Sequence, residues 1–92
     1  MGHGEFKVHG GKLVVADVRV DGEEITHVEL SGDFFLDPPE ALSAMRDALV
    51  GAPAAGSIDL LTERVSRAVP AGTVMLGFSP GDVAEAVRRA LA

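Results

Sequence analysis

The stretch KLVVADVRVDGEEITHVEL, residues 12–30, decides the fold. From Lys12 to Val20 it alternates, with Val14, Ala16, Val18 and Val20 on one face and Asp17 and Arg19 on the other. A period of two collects apolar side chains on one side only if the chain is extended. Asp21-Gly22 follows, a pair suited to the positive φ of a tight hairpin turn. Beyond it Thr26, Val28 and Leu30 alternate against Ile25, His27 and Glu29, and the whole reads as an antiparallel hairpin. Working outward, a shorter run at Glu5 to His9 adds an edge strand before Gly10-Gly11 interrupt it.

After the hairpin the period changes. Asp37-Pro38-Pro39-Glu40 offers Asp37 as an N-cap, a proline at the first helical position and a glutamate at the third, and Ala41, Leu42, Met45, Ala48 and Leu49 recur at helical spacing until Gly51. GAPAAG is a loop by composition; Ser57 then caps a second helix with an apolar stripe of Ile58, Leu61, Val65 and Ala68, closed by Pro70. Residues 70–78 carry no decisive pattern. Ser79-Pro80-Gly81-Asp82 repeats the cap logic and opens a last helix bearing Val83, Ala86, Val87, Ala90 and Leu91, with Arg88 and Arg89 suited to its C-terminal turn. Strands first and helices after predict an α+β fold: a small antiparallel sheet of about three strands, covered on one face by three helices. Without repeats or a second periodic block, residues 1–92 read as a single domain.

Ninety-two residues, 47% apolar and 24% charged, can bury one modest core. With four Phe and no Trp or Tyr, that core must be built from aliphatic side chains, and stacking platforms for bases are scarce. A net charge of −6 repels a phosphate backbone, which argues against nucleic acid. No apolar run approaches the ~20 residues that span a bilayer, and the start lacks the basic and apolar regions of a leader, so no membrane role and a cytoplasmic location are expected. Zero cysteines exclude disulfides, thiolate metal sites and cysteine nucleophiles.

Few residues invite chemistry. Gly10-Gly11-Lys12 suggests a phosphate loop, but Phe6 stands where the first glycine would be and Leu13 where a Ser or Thr would follow the lysine. The competing reading is a turn feeding a strand. His3, His9 and His27 lie on different segments with no second ligand at i+2 or i+4, so no metal site is expected. None of Ser31, Ser43, Ser57, Ser66 and Ser79 sits in a nucleophile elbow, and no catalytic residue is assigned. Ser31-Gly32-Asp33-Phe34-Phe35 places half of the aromatic residues after a turn at a strand end. Either both rings fill the sheet-to-helix corner, or one ring is left as an interface anchor. Asp33 is positioned to cap amides of that turn.

These same residues carry a resemblance. Lys7-Val8-His9-Gly10-Gly11-Lys12-Leu13 is similar to a Lys-x-Pro-Gly-Gly-Lys-Leu pattern, and the alternating strands, Ser31-Gly32-Asp33-Phe34-Phe35, the Pro-Glu-led helix and Ser79-Pro80-Gly81-Asp82-Val83-Ala84-Glu85-Ala86-Val87 follow in order. Together they resemble the C-terminal accessory domain of lipoate-protein ligases, in its form as a separately encoded small subunit. His9 departs from the pattern, where proline is usual. The resemblance implies a heterodimer with a catalytic subunit that binds lipoate, ATP and magnesium, makes lipoyl-AMP and passes the lipoyl group to a lysine of an acceptor domain, met transiently. It implies no cofactor bound by this chain alone. Its candidate ligand- or partner-contacting residues are Lys7, His9, Gly10, Gly11, Lys12, Ser31, Gly32, Asp33, Phe34 and Phe35. Lys12, or Lys7, together with backbone donors of the turn, would support a polyphosphate bound mostly by the partner. The alternative is a stand-alone, non-catalytic binding or regulatory module for an acyl ligase or a lipoyl-acceptor protein.

Overall fold

The hairpin of residues 12–30 forms the centre of a three-stranded antiparallel sheet in the computed structural model, which describes residues 2–92. Strands β1 (Gly2–Lys7), β2 (Leu13–Asp21) and β3 (Glu24–Gly32) lie in the order β1-β2-β3. Helices α1 (Glu40–Leu49), α2 (Ile58–Ala68) and α3 (Pro80–Leu91) cover one face of it, α3 over β1 and β2, α1 over β3, with α2 packed against both helices. Two short strands, β4 (Phe35–Asp37) and β5 (Val74–Leu76), pair as a separate antiparallel ribbon.

Val14, Ala16 and Val18 of β2 and Val28 and Leu30 of β3 are buried beneath Met45, Leu49, Leu61, Val65, Val83, Ala86 and Val87 of the helices. No charged or polar residue is buried among the described residues, so the core is apolar throughout; Thr73 Oγ1, in a half-buried residue outside it, is shut off from solvent without a hydrogen-bond partner. Strand and helix approach closely at β1, where Gly2 lies against Ala90 and Gly4 under Ala86 and Ala90 of α3.

The simple alternation expected of the hairpin fails at its distal end. The pairing register shifts between Arg19 and Val20, so that His27 faces Arg19 while Ile25 faces Val20, and Thr26 is the extra residue of a bulge. One extra residue reverses the faces beyond it. Ile25 is therefore buried in place of Thr26, which is exposed, while Val20, opposite Ile25 at the far end of β2, keeps its face but stands exposed. Backbone bonds from Ile25 N–H to Ala52 O (2.9 Å) and from Gly51 N–H to Ile25 O (2.8 Å) hold this end to the loop after α1.

Other differences are local. β1 runs Gly2–Lys7 rather than Glu5–His9, because Val8–Lys12 close a turn. Asp37 does not cap α1: it is the last residue of β4, opposite Val74, and the helix opens from Pro39 with no side-chain cap. Ala41 N–H and Leu42 N–H are instead partnered by the carbonyls of Pro38 and Pro39. Ser57 caps α2 as expected, its hydroxyl accepting from Leu60 N–H at 3.1 Å, but Ile58 lies at the exposed edge of that helix's stripe. At α3, Asp82 accepts from the Ser79 N–H at 2.8 Å, the returning half of a capping box. The undecided segment 70–78 holds β5.

Candidate functional site

The glycine turn is built from its own backbone. Gly11 N–H donates to Val8 O at 2.9 Å and Val8 N–H to Lys12 O at 3.0 Å. Gly10 has φ +70°, as the third residue of a type II turn requires. His9 is the second residue, the place such turns favour for proline, which gives a physical reason for the proline of the related pattern. The Lys7 ammonium donates to Gly11 O, so this lysine is used in bracing the turn.

Two other segments close on the turn. Asp33 accepts from Leu13 N–H through Oδ1 at 2.8 Å, clamping the start of β2 to the end of β3 rather than capping its own turn. Gly77, between β5 and α3, accepts from Lys12 N–H at 3.1 Å. Next to it Phe78 is buried and stacks on Phe34, ring centroids 4.0 Å apart and planes at 24°. Gly11, Lys12 and Phe34 thus meet residues 77–78, while Lys7 and Asp33 bind Gly11 and Leu13 of the adjoining turn and strand. His9 sits exposed at the tip of the turn, Gly32 ends β3 opposite Val14, and Ser31 is exposed opposite Val15.

The Phe34-Phe35 corner faces two ways. Phe34 is half-buried against the core, whereas Phe35 points out of the ribbon and is 54% exposed. Across the ribbon Phe35 pairs with Leu76, and Val74 completes the same face, at 57% and 41% exposure. The inward residues Leu36 and Met75 pack against the core. Asp37, opposite Val74, adds a carboxylate to this otherwise apolar outer face, and exposed apolar residues with a polar rim are the composition of a protein contact. Val74, Leu76, Gly77 and Phe78 were not picked out from the sequence; the alternation Val74-Met75-Leu76 was a signal, too short to read alone.

Both lysines of this net-negative chain lie at this end of the molecule. Among the described residues the Lys12 ammonium has no carboxylate or carbonyl partner, whereas the amides of Val8, Gly11, Lys12 and Leu13 all donate within the chain. Of the turn's backbone donors only the N–H groups of His9 and Gly10 remain. Its free resources are one cation and an apolar face. No three His, Asp or Glu side chains gather as a metal site would need among the described residues, and no helix is long and apolar enough to cross a membrane.

No protein-family model matches the sequence. The chain is 28% identical over 76 residues to lipoate-protein ligase A subunit 2 of Thermoplasma acidophilum, covering 83% of this chain and 77% of that one. It superposes with a TM-score of 0.76 and 26% identity on a chain from the structure of a bi-partite lipoate protein ligase and its E2 lipoyl domain from the same organism, covering 94% of this chain and 92% of that one. Both likenesses point the same way, to a lipoate-protein ligase made of more than one chain. The free cation and the exposed apolar ribbon are groups of the kind that a second protein completes.

Proposed function

We propose that this chain is the accessory subunit of a two-component lipoate-protein ligase, needed beside a catalytic subunit for ATP-dependent activation of lipoate. In that reaction a lipoate carboxylate oxygen attacks the α-phosphorus of ATP, pyrophosphate leaves, and lipoyl-AMP forms. The catalytic subunit holds lipoate, ATP and magnesium in the cytoplasm, and a lipoyl-acceptor domain is met transiently when the acyl group is passed to its lysine. The observation that carries the reading is the near end-to-end structural match, 94% of this chain on 92% of a chain of a bi-partite ligase. It is supported by what the site offers, one free lysine and an apolar ribbon but no acid–base pair or nucleophile.

In this reading the ribbon face of Phe35, Val74 and Leu76 seats the catalytic subunit, and Lys12 reaches toward the departing pyrophosphate. A cation placed where negative charge develops stabilises the transition state more than the ground state. The test measures two half-reactions with the assembled pair. Lys12→Ala is expected to leave folding and association unchanged and to slow lipoyl-AMP formation on the order of a hundredfold, equivalent to ~2.7 kcal/mol, while transfer from preformed lipoyl-AMP is nearly untouched. Acyl-adenylate formation by the catalytic subunit at full rate without this chain would sink the accessory reading, and binding to an unrelated acyl ligase or to an acceptor domain alone would favour the stand-alone module.

A further inference from the structure

Gly77 stands between the two halves of the site. On one side is Leu76, 57% exposed on the ribbon face, and on the other Phe78, stacked on Phe34. Its own backbone meets the glycine turn: Gly77 O accepts the Lys12 N–H at 3.1 Å, and a Cβ on Gly11 would come within 2.6 Å of that same oxygen. The Lys12 stem lies over the Gly77 α-carbon so closely that a Cβ at position 77 would collide with Lys12 Cγ. Gly77 has φ +88°, a conformation side chains rarely adopt.

We propose that Gly77 is the positioning residue for Lys12: its missing side chain is the groove in which the lysine stem lies, and its carbonyl fixes the backbone from which that stem departs. A lysine on an exposed turn samples many rotamers, and bracing the stem narrows the directions open to the ammonium. Because Gly77 follows directly on β5, the partner that docks on Leu76 sits one residue from the group that aims the lysine. Docking and aiming thereby share one segment. The proposal rests on the accessory reading above and adds to it the residue through which Lys12 acts.

The experiment uses Gly77→Ala, Lys12→Ala and the double variant, each assembled with the catalytic subunit at saturation. Adenylation and transfer rates are read together with amide hydrogen exchange at Lys12 in the isolated chain. Gly77→Ala is expected to expose the Lys12 amide to exchange and to slow adenylation roughly ten- to a hundredfold, the scale on which ångström misplacement of a reacting group acts. Transfer should be unchanged, and Gly77→Ala should add nothing in the Lys12→Ala background. A normal adenylation rate in Gly77→Ala beside a slow Lys12→Ala overturns the positioning alone, as do equal losses in both half-reactions or effects that multiply in the double variant. A normal rate in Lys12→Ala overturns the lysine's role and the proposal with it. Should Gly77→Ala fail to fold, Gly11→Ala, which crowds the same carbonyl without a positive φ at its own position, decides by the same criteria.

Discussion

In the three-stranded sheet the inward side chains Val14, Ala16, Val18, Val28 and Leu30 are at most 7% exposed, whereas on the outer face of the two-stranded ribbon Phe35, Val74 and Leu76 are 54%, 41% and 57% exposed. Both regions are antiparallel β-structure with period-two alternation. They differ in what covers them. The sheet has three helices to fill one face and a polar outer face carrying His3, Glu5, Asp17, His27 and Glu29. The ribbon has apolar residues on both faces and core for only one of them. A two-stranded ribbon is marginal by itself, so Leu36 and Met75 must anchor it, and the remaining face stays exposed. One region is covered by the chain itself and the other is not.

The strongest way to break that contrast is at the sheet. Gly4→Ala places a Cβ against the backbone of α3 at Ala86 and Ala90, atoms that cannot rotate away. Overpacking of this kind costs about 1–3 kcal/mol or more, out of a total on the order of 5–14 kcal/mol for a chain of this length. Scanning calorimetry should show Tm falling by roughly 10 °C or more. A melt within a degree or two of wild type would mean that α3 can shift off β1 freely.

Phe34→Ala tests the seam between the two regions. It removes a half-buried ring and the stack on Phe78, so the expected loss is about 2–3 kcal/mol, below the 3–5 typical of fully buried rings. Chemical denaturation measures it, and the comparison sharpens if partner binding weakens as well, since Phe78 adjoins Gly77. On the ribbon itself, Phe35→Ala and Leu76→Ala should alter stability by no more than ~0.5 kcal/mol while weakening association with the catalytic subunit about tenfold or more. Calorimetric titration against that subunit separates the two quantities. Destabilisation as severe as that of Phe34→Ala, with association intact, would make the ribbon a structural corner and erase the contrast.

The smallest effect lies on the outer face of the sheet. His3 bridges β1 and β2 through Nε2 to Glu5 at 2.8 Å and Nδ1 to Asp17 at 2.6 Å, and these hydrogen bonds, Glu5 first, raise its pKa above the ordinary 6.5. A raised value means that folding favours the imidazolium, so the contribution is fully present below about pH 6.5 and is lost as pH rises through the raised value. The pair is solvent-exposed and its effect is correspondingly slight. The difference in Tm between wild type and His3→Gln should shrink as pH is raised across that window; a constant difference would show that the bridge does not depend on the histidine's charge.

The hairpin, the three helices, the caps at Ser57 and Ser79 and the two turns of the candidate site were legible in the sequence because each rests on contacts within a few residues: alternation, helical spacing, a hydroxyl or carboxylate three positions from the amide it meets, a glycine where φ is positive. Tertiary structure alone decided the rest. Pairing of 35–37 with 74–76 joins segments far apart in the chain, and three residues carry too little periodicity to announce it. That pairing drew Asp37 away from its expected cap, and a single bulged residue put Ile25 in the core where alternation had placed Thr26. Lys12 was legible as a candidate, but Gly77 was not. Glycine at 77 is explained by its positive φ and by a lysine stem that crosses it, both set once the two ends of the chain have met.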